Sequence, residues 1–207
     1  VAFLEKVEII QELVSDPRVD VICEIGFNVG YSAINMLLSN PTAKLISFDI
    51  FSNQYTPAAV QSVHSMFPNR EIIVIAGDSA SSIPQAKMLF KQQKCNIMFV
   101  DGDHQVQSML NDMYNIAHIV NETYNRIIVD DLDFPALEVL WDEMPEMTIF
   151  SQNQQFHDLP RFKKIKKIHS HAFDSVTPIY NDTTYHYNFV QERFVLSGDM
   201  GIGEFVF

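Results

Sequence analysis

Short apolar runs alternate with longer amphipathic stretches over the first two-thirds of the 207-residue chain. The runs predict buried strands, and the stretches between them predict helices. Such alternation is typical of βαβ units built around a mainly parallel sheet. The predicted strands are Asp20–Ile25, Lys44–Phe48, Glu71–Ile75, Asn96–Val100 and Arg126–Val129.

Helices are predicted where apolar residues recur at helical spacing and where Pro or Asn ends the pattern. The opening segment, residues 1–15, has apolar positions 3, 4, 7, 10, 13 and 14 and is expected to pack on the sheet. The further predicted helices are Tyr31–Leu38, Pro57–Met66, Pro84–Lys91, Gln105–Asn121 and Phe134–Met144.

The last third of the chain is less regular. Residues 146–184 are predicted to form a variable substrate region. The tail predicts a closing β-hairpin, in which Tyr185–Leu196 and Ile202–Phe207 flank a Ser-Gly-Asp-Met-Gly turn. With no linker and no internal repeat visible, residues 1–207 are interpreted as one domain.

The first predicted strand runs into a tight turn that reads Glu-Ile-Gly-Phe-Asn-Val-Gly. Gly26 and Gly30 would let the backbone lie against a ligand and let the next helix start close to the strand. The G-x-G-x-x-G spacing of dinucleotide sites is absent, and Glu24 precedes the first glycine. A carboxylate suits a cationic ligand better than a pyrophosphate. The turn therefore indicates S-adenosylmethionine rather than NAD.

Acidic residues follow the next four predicted strands. Because the carboxyl ends of parallel strands face one rim of a sheet, these side chains are expected to converge. Asp49 is suited to accept both hydroxyls of a ribose, and Asp78 or Ser79 to bond an adenine amino group. The series is Asp49, Gly77-Asp78-Ser79, Asp101-Gly102-Asp103-His104 and Asp130-Asp131.

From about Asp20 to Asp131 the chain resembles the class I S-adenosylmethionine-dependent methyltransferases, because the turn and the acidic series look like that family's successive motifs. The D-G-D-H run and the Ile127–Asp131 segment are similar to small-molecule O-methyltransferases of the macrocin and catechol types. The resemblance implies a Rossmann-like, doubly wound α/β fold. Its sheet would have seven strands, mainly parallel, with an antiparallel C-terminal hairpin.

The turn, the acidic series and the resemblance together predict the site. Cofactor-binding residues are predicted at Glu24, Gly26, Phe27, Asn28, Gly30, Tyr31, Asp49, Asp78, Ser79 and Asp101. The predicted catalytic residues are Asp101 and His104, with His104 as general base or acceptor holder. The resemblance also implies a Mg²⁺ ion held by Asp101, Asp130 and Asp131. Such a cation would lower the pKa of an acceptor hydroxyl.

Several of these residues have a simpler interpretation. Asp49 and Asp78 are good loop-initiating residues in any α/β protein. Asp103 is better interpreted as the N-cap of the Gln105 helix. The pair Asp130-Asp131 fits a helix cap as well as a metal site. The other six histidines are interpreted as surface or core residues.

Two departures from the resemblance bear on function. Relatives carry a Gly-Gly turn before the fifth strand, whereas Asn125 is the residue here that could adopt a left-handed turn. Only one helix precedes the first strand. A cover for the acceptor is therefore missing, or comes from the variable region, or comes from another subunit.

Charge and composition limit the classes of partner that the sequence favours. Net charge is −12, which disfavours nucleic acid. No apolar run is long enough to predict a membrane span. Cys23 and Cys95 are interpreted as unpaired core residues in a reducing, cytoplasmic compartment. A small-molecule acceptor is the expected partner, and a homo-oligomer is compatible with the sequence.

Five of the fourteen basic residues lie between Arg161 and His169. They could form a patch for an anionic substrate or partner. The preferred interpretation is a solvated face, with Phe162, Ile165 and Ile168 turned inward at three-residue spacing.

The sequence thus predicts a methyltransferase that uses S-adenosylmethionine to methylate an oxygen of a small molecule, with Mg²⁺ as a candidate second cofactor. An alternative is a cofactor-binding or regulatory subunit without turnover, suggested by the missing cover and the missing Gly-Gly. A nicotinamide-dependent oxidoreductase is disfavoured by the glycine spacing and by Glu24.

Overall fold

The computed structural model describes residues 2–91, 93–146, 160–168 and 199–207. The strands of the described residues are β1 Val21–Ile25, β2 Lys44–Asp49, β3 Ile72–Ala76, β4 Ile97–Val100, β5 Arg126–Val129, β6 Arg161–Ile168 and β7 Met200–Val206. They form one sheet in the order β3-β2-β1-β4-β5-β7-β6. β1 to β5 are parallel, and β7 runs antiparallel to both β5 and β6. The predicted seven-stranded, mainly parallel fold with an antiparallel C-terminal hairpin is confirmed.

Helices cover both faces of this sheet. They are α1 Ala2–Val14, α2 Tyr31–Ser39, α3 Thr56–Met66, α4 Ser79–Gln85, α5 Val106–Ala117 and α6 Pro135–Glu143, with 3₁₀ turns at Ala86–Lys91 and Met144–Glu146. Apolar side chains of α1, α2 and α3 pack on one face, and those of α4, α5 and α6 pack on the other. Because both faces of the sheet are buried, β1 and β4 do not alternate between apolar and polar residues. Apart from Glu24, both strands are apolar throughout.

The helix after β3 differs from its prediction. It begins at Ser79, five residues before the predicted Pro84, because the Asp78 side chain accepts a hydrogen bond from the Ala80 backbone N–H and caps the helix (2.9 Å). It then continues as a 3₁₀ turn to Lys91. The helix after β4 ends at Ala117 rather than Asn121.

The closing hairpin is built from different residues than predicted. β7 begins at Met200, so Met200 and Gly201 lie in the strand rather than in the predicted turn. Its antiparallel partners are β5 and β6. The predicted partner Tyr185–Leu196 and most of the variable region lie outside the described residues.

The basic segment forms β6, an edge strand. A bulge between Lys164 and Lys166 breaks the alternation, so Ile165 is 47% exposed and its predicted inward orientation is wrong. Phe162 and Ile168 are buried as predicted. Three of the lysines form ion pairs with acidic residues of α6 and β7, which favours a solvated face over an anion-binding patch: Lys163 with Glu204, Lys164 with Asp142 and Lys167 with Glu138.

Asn125 does not adopt the left-handed conformation that an asparagine could take at this position. Its buried side chain instead bridges to β7: the amide donates to the Phe205 carbonyl (3.0 Å), and its oxygen accepts from the Phe205 N–H (2.7 Å). The side chain thus fixes the entry to β5 where relatives use glycines.

Cys23 and Cys95 form a disulfide, with Cα atoms 5.7 Å apart. The prediction of two unpaired cysteines is wrong, because β1 and the approach to β4 are neighbours and place both buried side chains on one face of the sheet. The cysteines therefore give no support for a reducing compartment. Among the described helices, none is long and apolar enough to cross a bilayer.

Candidate active site

A cleft of about 1100 Å³ opens at the carboxyl ends of the parallel strands. Loops after β1 to β5 all contribute to its lining, as expected for a doubly wound sheet. Its most frequent side chain is aspartate. The seven aspartates of the cleft are Asp49, Asp78, Asp101, Asp103, Asp112, Asp131 and Asp133.

The glycine turn brings the backbone to the floor of this cleft. Gly26 has φ +92°, and a Cβ there would lie 1.8 Å from the Asp101 carbonyl oxygen. Gly30 has φ +83°, and a Cβ there would lie 2.9 Å from both Phe27 and Val63. Both positions therefore require glycine, the first because β1 and β4 end side by side and the second because the side chains of Phe27 and of Val63 in α3 pack against it.

Asp49 fastens the glycine turn to the end of β2. One carboxylate oxygen accepts from the Asn28 N–H (2.8 Å) and the other from the Phe51 N–H (2.6 Å). Asn28 and Phe51 both have positive φ, so the carboxylate stabilises two left-handed turns at once. Each oxygen can accept one further hydrogen bond, and Asp49 lines the cleft.

Glu24 lies behind the turn rather than in the cleft. Its side chain is fully buried, with one carboxylate oxygen accepting from the Ser47 hydroxyl (2.7 Å) and the other from the Ser32 hydroxyl. Burial raises the pKa of Glu24 to about 7. The geometry gives Glu24 a supporting position between β1, β2 and α2 rather than a direct contact with a ligand.

His104 and Asp131 meet on the opposite side of the cleft. The Nε2 atom of His104 lies 2.7 Å from Asp131 Oδ2, and the ring of Phe134 stacks on the imidazole (centroids 4.5 Å apart). Ligand atoms of Asp101, His104 and Asp131 all lie within 4.8 Å of one another. Burial raises the pKa of Asp131, while the neighbouring His104 lowers it.

Asp130 is directed away from this group. Its Oδ1 atom accepts from the buried ammonium of Lys6 in α1 (2.6 Å) and from the Asp131 N–H (3.0 Å). Its Oδ2 atom is buried and accepts no hydrogen bond from the described residues. The structure therefore brings His104, rather than the predicted Asp130, together with Asp101 and Asp131.

Charge accumulates at the ends of β4 and β5. Burial and the carboxylates of Asp130 and Asp131 raise the pKa of Asp101 well above its usual range. Burial also raises the pKa of Asp130 to about 6, although Lys6 opposes that rise. A bound cation would relieve the repulsion among these carboxylates.

Residues 23–131 match the family model described as a methyltransferase domain, which is more than half of the chain. The chain belongs to this methyltransferase family. The region matched runs from the middle of β1 to Asp131, so it includes the glycine turn and the whole acidic series. No curated protein matches the sequence significantly.

Solved structures of methyltransferases share the fold of this enzyme. An O-methyltransferase from Bacillus cereus in complex with SAH is 16% identical, with a TM-score of 0.57 over 69% of this chain and 70% of that chain. CalS11, a TDP-rhamnose 3′-O-methyltransferase of calicheamicin biosynthesis, is 17% identical, with a TM-score of 0.56 over 69% of each chain. An rRNA methylase from Streptococcus thermophilus is 8% identical, with a TM-score of 0.58 over 98% of this chain and 95% of that chain.

The predicted cofactor residues of the methyltransferase divide into two groups. Those that line the cleft are Gly26, Asn28, Asp49, Asp78, Ser79 and Asp101. Those outside its described lining are Glu24, Phe27, Gly30 and Tyr31. Phe27 is buried against Gly30, whereas Tyr31 is exposed on α2.

Asp103 does not cap the following helix. The N-cap is Gln105, and the Asp103 carboxylate instead accepts from the Ser108 hydroxyl in the first turn of α5 (2.6 Å). Asp103 therefore remains exposed at the cleft, where it adds negative charge.

Sequence reasoning missed two residues of the site, Lys6 and Asp112. Asp112 projects from α5 into the cleft, accepts from the Ser79 hydroxyl (2.6 Å) and is almost fully buried, which raises its pKa to about 6. Both lie on apolar stripes: Lys6 is four residues before Ile10, and Asp112 is four before Ile116. A charged residue on the buried stripe of a helix is the signal that identifies both.

Buried carboxyls make the stability of this methyltransferase depend on pH. The folded protein holds protons on Glu24, Asp112 and Asp130 more tightly than the unfolded chain does. The free energy of unfolding should therefore fall as the pH rises from about 4 to about 7. Urea denaturation should give a value lower by on the order of 2 kcal/mol at pH 7.5 than at pH 5.

Glu24→Gln should reduce this pH dependence, because the amide does not ionise. Glu12→Gln, at an exposed position of α1, serves as the matched control and should leave the change of unfolding free energy with pH as it is in the wild type. If the wild type and both variants showed the same change with pH, Glu24 would titrate normally.

Proposed function

We propose that this methyltransferase transfers the methyl group of S-adenosylmethionine to a hydroxyl oxygen of a small molecule, with His104 as general base. The observation that carries the proposal is the pair between His104 and Asp131, which lies in the same cleft as the glycine turn anchored by Asp49. One side of the cleft suits the nucleoside of the cofactor, and the other side suits the acceptor.

The glycine turn and the end of β2 would hold the cofactor in this proposal. Gly26 lets the turn approach the end of β4 and so shapes the cleft wall, and the remaining lone pairs of Asp49 would accept the two ribose hydroxyls. Asp78 and Ser79, at the start of α4, are placed to contact the adenine. Asp101 and the other aspartates of the cleft would favour the positive charge of the sulfonium.

His104 and Asp131 act together on the acceptor. With Nε2–H donating to Asp131, a tautomer assigned from the hydrogen-bond geometry, Nδ1 is left to accept the hydroxyl proton. The hydroxyl oxygen attacks the methyl carbon in line with the leaving sulfur, the C–S bond breaks, and the cofactor leaves as the neutral thioether SAH. Asp131 orients the imidazole and stabilises the imidazolium that forms.

Mg²⁺ is a second cofactor that the site fits. Asp101 and Asp131 supply hard oxygen ligands whose atoms lie within 4.8 Å of each other. When bound, the ion would lower the pKa of the acceptor hydroxyl and orient it. Asp101 and Asp131 would hold it.

His104→Ala is expected to lower kcat by about 100-fold or more, the usual contribution of a general base. The assay follows labelled methyl transfer from S-adenosylmethionine to catechol, used as the probe acceptor. Affinity for SAH, measured by isothermal titration, should remain within about twofold of the wild-type value, because the imidazole acts on the acceptor.

His64→Ala, an exposed histidine on α3, is the matched control and should change neither quantity. Each titration is repeated with Mg²⁺ and with excess chelator, so that any contribution of the ion is measured on the same samples. Full turnover of His104→Ala would contradict the assignment of the base. SAH binding without turnover towards any acceptor would favour a cofactor-binding or regulatory subunit.

A further inference from the structure

We infer that the methyl acceptor is an uncharged or cationic molecule with a flat ring, and that acceptors bearing phosphate or carboxylate groups are disfavoured. This inference rests on the proposed function and adds the substrate class. It is carried by the charge of the cleft, by the composition of the remaining chain and by an exposed aromatic ring beside His104.

The cleft has a strongly one-sided charge. Its described lining contains the seven aspartates and neither lysine nor arginine. A bound sulfonium and one divalent cation would together carry three positive charges, fewer than the seven aspartates of the lining, even when Asp101, whose pKa is raised, holds a proton. An anionic acceptor would therefore still meet an excess of negative charge, at short range and partly shielded from water.

Residues 147–159 and 169–198 contain too few basic residues to supply a basic cluster to the cleft. Of the fourteen lysines and arginines, thirteen lie in the described residues, and Arg193 is the remaining one. Four acidic residues lie outside the described ranges: Asp158, Asp174, Asp182 and Glu192. Whatever conformation residues 147–159 and 169–198 adopt, they add more negative than positive charge.

None of the described lysines and arginines lines the cleft, and several of them bind groups outside it. Lys6 is the basic residue beneath the cleft floor, but it is fully buried and bound to Asp130. Three of the four lysines of β6 are paired with acidic residues of α6 and β7. Arg70 donates to backbone carbonyls at the end of α2 and the start of β2. None of these basic residues is therefore placed to bind a phosphate group in the cleft.

A ring acceptor has a surface to pack on. Phe134 is 43% exposed, lines the cleft and stacks on the imidazole of His104. Its backbone is fixed as the N-cap of α6, where Pro135 follows it. A flat ring against Phe134 would present a hydroxyl to the neighbouring His104. The exposed Asp133 would then face a substituent of that ring.

Three matched catechols test the inference. They share the ring and a two-carbon substituent and differ in charge: 3,4-dihydroxyphenethylamine is cationic, 4-ethylcatechol is neutral, and 3,4-dihydroxyphenylacetate is anionic. The affinity of each for the SAH-bound enzyme is measured by titration, and kcat/KM is measured with labelled cofactor. We expect the anionic compound to be weaker than the other two by on the order of tenfold or more.

Asp133→Lys should reverse this order, by improving the carboxylate compound and weakening the amine. Glu143→Lys makes the same change of charge on α6 outside the cleft and should leave the order unchanged. An anionic compound that binds as well as its neutral analogue would overturn the charge part of the inference. Failure of all three to bind an enzyme that binds SAH would overturn the ring class while leaving the proposed cofactor site standing. Failure to bind SAH would overturn the proposed function itself.

Discussion

Gly26→Ala should abolish cofactor binding and destabilise the fold by about 4 kcal/mol or more, because backbone strain and a steric clash act at the same atom. The added Cβ would lie 1.8 Å from the Asp101 carbonyl oxygen and 2.8 Å from its carbonyl carbon. Both atoms belong to the backbone at the end of β4, so relief requires separating β4 from β1. Urea denaturation and SAH titration measure the two effects.

Gly102→Ala provides the comparison for this variant. Gly102 also lines the cleft, but its φ is not in the left-handed region and its nearest neighbour would be a methyl group of Ile25 at 3.1 Å. A side chain can move by a few tenths of an ångström, so a cost of about 1 kcal/mol is expected. If the two alanine variants proved equally stable, the close approach of Gly26 to β4 would be wrong.

Lys6→Met should lower the free energy of unfolding by about 3 to 5 kcal/mol, because it leaves the Asp130 carboxylate buried without its charged partner. Both side chains of the pair are fully buried, and the ammonium lies 2.6 Å from the carboxylate. Urea denaturation at pH 7.5 measures the loss. The double variant Lys6→Met/Asp130→Asn should recover part of it, since it removes both charges together.

The exposed pair between Lys94 and Glu122 is the control for this experiment. Its atoms lie 2.5 Å apart, as close as those of the buried pair, but water reaches both side chains. Lys94→Met should cost less than about 1 kcal/mol. A similarly small effect of Lys6→Met would mean that α1 does not dock against the end of β5.

The order of the elements was predictable because each parallel strand is buried on both faces and reads as a short apolar run. β5 matches its predicted bounds, and the other four parallel strands differ by single residues at their ends. The closing strands were harder. β6 is an amphipathic edge strand with a bulge, so its spacing of apolar residues imitated a three-residue repeat that the strand does not have.

Asp49, Asp78 and Asp101 were predictable as residues of one cleft, since a parallel sheet sends every strand end to the same rim. The direction of each side chain was not. Glu24 and Asp130 lie at strand ends like the others, yet Glu24 is directed towards serines and Asp130 towards Lys6. Lys6, Ser32 and Ser47 are the partners, and they lie on α1, α2 and β2. The local sequence around an acidic residue does not predict which of these distant side chains will bind it.

The disulfide was missed for a related reason. Sequence spacing does not reveal that two cysteines 72 residues apart lie on neighbouring elements of the sheet, and residue type alone is compatible with either state.

That disulfide closes a covalent ring around about a third of the chain. The segment between Cys23 and Cys95 contains α2, β2, α3, β3 and α4, and with it Gly26, Asp49 and Asp78. A protease that cuts one peptide bond anywhere in this ring leaves a single molecule, which separates into two fragments only under reducing conditions. The proposed ribose side of the cleft therefore belongs to a closed loop of chain, whereas His104 and Asp131 of the proposed acceptor side lie on the open remainder.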